Sequence, residues 1–146
     1  MLALARKILV GGSLAMLALG GSAQEVISME GQSWTEAGSL AELPAGVQAS
    51  LGAAKSFDDG GIADRGGKFN PGCILTKGEA RRRFVRGAFN ANTVVVLVES
   101  GGRGHSYTTL EWRLNGTQWE AWPRRPAFGR PKSLQELLQV QPARSD

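Results

Sequence analysis

One cysteine, one histidine and one tyrosine occur in 146 residues, and each scarcity closes a chemical route. Cys73 has no second cysteine to meet, so no intramolecular disulfide can form and the fold must rest on packing. A lone thiol is either buried as a small hydrophobe, which is the expectation for Cys73, or free to pair with another chain. His105 and Cys73 together cannot fill a transition-metal shell without carboxylates. They could form a nucleophile and base only with close approach and an orienting third group, and the pattern shows neither. No P-loop and no serine elbow is present. Asp58-Asp59-Gly60-Gly61 with Asp64 lacks the alternating oxygen ligands and closing glutamate of a calcium loop. No cofactor, no metal and no catalytic set is therefore expected.

Long hydrophobic runs are also missing. The single apolar run, Ile8–Leu19, is too short to serve as a stable anchor across a bilayer. It follows the positive pair Arg6-Lys7 and precedes the small residues Gly20-Gly21-Ser22-Ala23. That is the pattern of a cleavable export signal, residues 1–23, which places the remaining chain in the periplasm or outside the cell. After cleavage no segment is expected to insert stably into a membrane.

Charge is unevenly distributed. Residues 24–64 carry seven acids and the single base Lys55, a net of −6, whereas residues 65–146 carry fourteen bases and six acids, a net of +8. A basic body behind an acidic strap in an exported chain points to an acidic protein or an anionic envelope polymer as partner, and not to nucleic acid.

Residues 24–42 are polar, acidic and aperiodic, as a flexible leader would be. A single globular domain is expected over 43–141, with 142–146 a disordered tail. Pro44, the spacing of Leu43, Val47 and Leu51, and Gly52 predict a short helix over 44–51. Residues 53–78 read as a long loop with the apolar anchors Phe57, Ile62, Phe69, Ile74 and Leu75. Strands follow at Arg82–Phe89, Thr93–Ser100, His105–Leu114 and Gln118–Trp122, with Pro123 ending the last. Ser133-Leu134-Gln135-Glu136 has capping-box spacing, and Leu134, Leu137 and Leu138 make one apolar stripe of a helix over 133–140. The class is α+β: a small antiparallel β-meander of about four strands within 82–122, flanked by these two helices.

The pair Asn115-Gly116 predicts a two-residue hairpin turn, which sets Trp112 opposite Trp119. A four-residue turn at Gly101–Gly104 then places Val95 opposite Leu110, and Val94, Val96 and Val98 on the face of Tyr107 and Trp122. Glu111 falls opposite Glu120, where the two would repel unless an arginine such as Arg113 lies between them.

The candidate ligand surface comprises the glycine-rich loop with Arg103 at its tip, His105 and Tyr107 beside it, and Arg86 and Trp122. Arginine offers planar recognition of carboxylate or phosphate, and the aromatics offer area to a protein or carbohydrate. The expectation is an exported binding module, including an inhibitor or immunity-type role. An envelope accessory protein held by its basic surface is the alternative, and a small hydrolase built on Cys73 with His105, or on Asp64, the remote one. Small periplasmic lysozyme inhibitors use a Ser-Gly-x-x-Tyr loop. Ser100-Gly101 resembles its start, but the tyrosine arrives only at Tyr107 and the paired cysteines are absent.

Overall fold

The computed structural model describes residues 24–53, 61–74, 76–127 and 129–140. The export signal, Phe57, Leu75 and the tail 142–146 lie outside the described residues. The fold is α+β, with an antiparallel meander at its centre. Among the described residues seven strands form one sheet rather than about four: β1 (Val26–Met29), β2 (Gln32–Ala37), β3 (Ile62–Ala63), β4 (Arg82–Phe89), β5 (Thr93–Ser100), β6 (Ser106–Asn115) and β7 (Gln118–Ala127). The order is β1-β2-β4-β5-β6-β7, with β3 pairing parallel to β4.

The additional strands β1 and β2 arise where the flexible leader is expected. Glu30 and Gly31 both take positive φ, 52° and 74°, the requirement of a two-residue type I′ turn, and Met29 then pairs with Gln32. Trp34, only 7% exposed, packs into the core and holds the hairpin there. The acidic character of this segment conceals the turn, because only one of its two central residues is a glycine.

β5 forms the middle of the sheet, with seven of its eight residues buried. Each aliphatic side chain fully withdrawn from water contributes about 1.5–3 kcal/mol, so this strand anchors both faces. On one face Val94, Val96 and Val98 pack with Phe84, Leu110 and Trp112 beneath α1 (Ala45–Ala53), which supplies Val47 and Leu51. On the other, Val95 and Leu97 pack with Trp34, Val85 and Ala88 beneath α2 (Leu134–Gln139). Trp112 Nε1 donates to Ser50 Oγ at 3.1 Å, which satisfies the buried indole and ties α1 to β6.

The register differs from expectation at both turns. Ser100 pairs with Ser106, so the β5–β6 connection is the five-residue loop Gly101–His105. The one-residue change sets Val96 opposite Leu110 and turns the even-numbered valines to the Trp112 side. At the β6–β7 corner Asn115 pairs with Gln118, leaving Gly116 and Thr117 as the turn. Gly116 has φ 61°, and glycine in the first central position suits a type II′ turn. Trp112 therefore faces Ala121, and Trp119 faces Leu114, with both indoles still on the α1 side. Arg113, not Glu111, lies opposite Glu120.

Pro123 does not end β7, which runs on to Ala127. The strand is at the sheet edge, where a missing N–H breaks no ladder, and a register shift opposite Thr109–Glu111 absorbs the disturbance. Cys73 is exposed rather than buried, on a bend that also leaves Ile74 84% exposed. Of the loop's expected anchors, Ile62 packs on the α1-side core and Phe69 lies against Arg83.

Ser133 caps α2: its side chain accepts the Glu136 N–H at 3.1 Å. Glu136 does not close the box on Ser133 but accepts the Lys132 N–H at 2.7 Å. Ser133→Ala is expected to cost about 1 kcal/mol, read as a lower urea midpoint with unchanged slope.

Candidate functional site

The β5–β6 loop is organised from below by a buried carboxylate. Glu99, 6% exposed, projects to the α2 side at the end of β5. Its Oε2 accepts from Arg83 Nη2 at 2.6 Å and Nε at 3.0 Å, while Oε1 meets His105 Nε2 at 2.5 Å and Tyr107 Oη at 3.4 Å. Burial pushes the Glu99 carboxyl up, but hydrogen bonds from Arg83 and His105 and their charge outweigh it and hold it below the ordinary value. Arg83 is itself fixed, with its guanidinium 4.3 Å from the Phe69 ring centroid. The His105 and Tyr107 rings meet edge to face at 5.3 Å.

Above this base the loop is pinned from the side. Gly101 N–H donates to Arg81 O at 2.9 Å, and Gly102 N–H to Pro71 O at 3.2 Å. Arg103 is exposed at the tip, with no hydrogen bond or ion pair among the described residues. Three of the expected residues, Arg103, His105 and Tyr107, thus lie together on this loop and the strand that follows it. Tyr107 serves as a support more than as a platform, since its ring is partly buried against the α2-side core.

Arg86 belongs elsewhere. A bulge at Val85 lets Phe84 pair with Val98 and Arg86 with Leu97, so Val85 and Arg86 both turn to the α2 side. There Arg86 Nη1 donates to Lys132 O at 3.0 Å, and its Nε lies 3.0 Å from Glu36 Oε1. That contact has the distance of an ion pair without hydrogen-bond alignment, for Glu36 Oε1 is buried with no hydrogen-bond partner among the described residues. Arg86 also lines a cleft of about 380 Å³ with Arg65, Val85, Arg130, Pro131 and Lys132.

Trp122 forms a third locality on the edge strand. It is 42% exposed, and the Arg113 guanidinium stacks over its ring at 3.7 Å. Arg113 Nε donates to Glu111 Oε1 at 2.7 Å, and this carboxylate is only 4% exposed. The arginine expected to relieve Glu111 is the one that does so, along its own strand.

Arg86, Tyr107 and Trp122 share the α2 side of the sheet by register, but each is engaged by different partners. Glu99 was not among the residues the sequence singles out, although an acid closing an apolar strand is a visible signal. Arg65 and Lys132 give no such signal, because the cleft joins segments distant in the chain. Among the described residues no three His, Cys, Asp or Glu side chains gather as a metal site requires. No protein-family model, no curated protein and no solved structure matches this chain.

Proposed function

We propose that the protein is an exported binding module whose recognition element is the Gly101–His105 loop. The observation that carries this reading is Arg103, without a partner among the described residues, at the tip of a loop fixed on both sides. Prefixing a loop removes part of the ordering cost that binding otherwise incurs, and an unpaired guanidinium is suited to an acidic protein surface. The apolar run behind Arg6-Lys7 supports action in the periplasm or beyond it. An inhibitor or immunity-type role fits a module of this kind. The rival reading, an accessory protein held diffusely on envelope polymer, draws on the net charge of +8 over residues 65–146.

A photoreactive side chain at position 104, irradiated in the protein's own compartment, tests the loop. A discrete adduct is expected there, absent with the same reporter at the exposed Gln139 and lost on Arg103→Glu. Equal adducts at both positions, or one indifferent to Arg103→Glu, would overturn the assignment. An adduct that vanishes between about 50 and 500 mM salt with wild-type Arg103 would favour diffuse electrostatic attachment instead.

A further inference from the structure

The cleft at the entry to α2 lies apart from the recognition loop and uses none of its residues. Its cations come from three separate places: Arg65 after β3, Arg86 from the bulge in β4, and Arg130 with Lys132 ahead of α2. Nearby carboxylates are already engaged. Glu36 faces Arg86 and lies 3.7 Å from Arg65, Glu136 accepts the Lys132 N–H, and Asp64 accepts from the backbone of Leu40 and Arg65. Arg130 and Lys132 are exposed and their side chains have no partner among the described residues. Arg86 is held in place at two of its nitrogens, which leaves Nη2 as a fixed donor.

We propose that this cleft binds a phosphate monoester or diphosphate group. Cations arriving from several directions suit a tetrahedral dianion better than a planar carboxylate, which one arginine fork satisfies alone. The volume of about 380 Å³ exceeds what a bare phosphate needs. It falls in the usual range of small-molecule sites, and Val85 and Pro131 supply an apolar wall for the organic part of an ester. Glu36 is the internal competitor: it takes up cationic charge that a ligand would otherwise use.

Calorimetric titration of the purified protein with inorganic pyrophosphate tests this, against citrate and against sodium chloride at matched ionic strength. Saturable binding of pyrophosphate is expected, weakened about tenfold or more in Arg130→Ala/Lys132→Ala, whose exposed side chains leave the fold untouched. Glu36→Gln should tighten it. Binding no stronger than the salt control, or unchanged in the double variant, overturns the site. Citrate binding as tightly as pyrophosphate overturns the phosphoryl assignment. The photoadduct at position 104 should persist in the double variant, so failure here is distinguishable from failure of the loop reading.

Discussion

Gly101→Ala is expected to destabilise the protein by about 3 kcal/mol, near the upper end for an overpacked site. A Cβ at this position would lie 2.1 Å from Asn70 O and 2.7 Å from Pro71 Cα, both backbone atoms. Neither can step aside cheaply. Asn70 N–H donates to Ala80 O at 2.7 Å, its side chain donates to Ile74 O and Glu79, and its Oδ1 accepts the Gly72 N–H. The loop is held to the same segment through the Gly102 N–H on Pro71 O, and Gly101 itself to Arg81 O, so moving either backbone breaks hydrogen bonds as well as contacts. The measurement is the urea midpoint. Gly52→Ala provides the opposite sign, because that helical glycine has nothing within 4 Å of its added Cβ and alanine improves helix propensity by about 1 kcal/mol. Equal midpoints for Gly101→Ala and wild type would mean that the 70–72 segment does not pack on the loop as described.

What could be read from the sequence follows the range of the interactions. β5 and the capped α2 are declared by local signals, an unbroken β-branched run and Ser133 three residues ahead of Glu136. The β1–β2 hairpin is not, because its apolar residues are few and its turn carries Glu30 at positive φ. Register failed by single residues at two turns for one reason. Glycine at each turn permits more than one loop length, and the choice is made by contacts of side chains other than the glycines. His105 joins the β5–β6 loop when it meets Glu99, and the side of the sheet on which each valine lies changes with it. The site shows the same division. Arg103, His105 and Tyr107 are neighbours in the chain and are found together. Arg86 reaches their side of the sheet through the bulge at Val85, but it is engaged there by Glu36 and the Lys132 carbonyl, partners distant in the chain that no periodicity announces.

Arg83→Met is expected to cost about 2 kcal/mol at neutral pH and to reverse the acid response of stability. Removing one partner of a fully buried pair costs about 3–5 kcal/mol, and the 28% exposure of the Arg83 side chain lets water screen part of that. In the native fold the Glu99 carboxyl titrates below its ordinary value near 4.5, so the folded chain binds fewer protons than the unfolded one in that region. The contribution of Glu99 is therefore complete above pH about 4.5 and is lost as pH falls through the lowered folded value. Without Arg83 the burial that raises the carboxyl loses its main opponent. The folded value then rises, and acid relieves the buried charge where it formerly removed a favourable one. Urea midpoints between pH 3 and 7 should fall with acid in wild type, and the difference between wild type and Arg83→Met should shrink steadily as pH drops. Glu99→Gln should remove that dependence, since an amide does not titrate there. Parallel curves for wild type and Arg83→Met would show that Glu99 is not held by Arg83. The loop bearing Arg103 would then lack the foundation on which its recognition role rests.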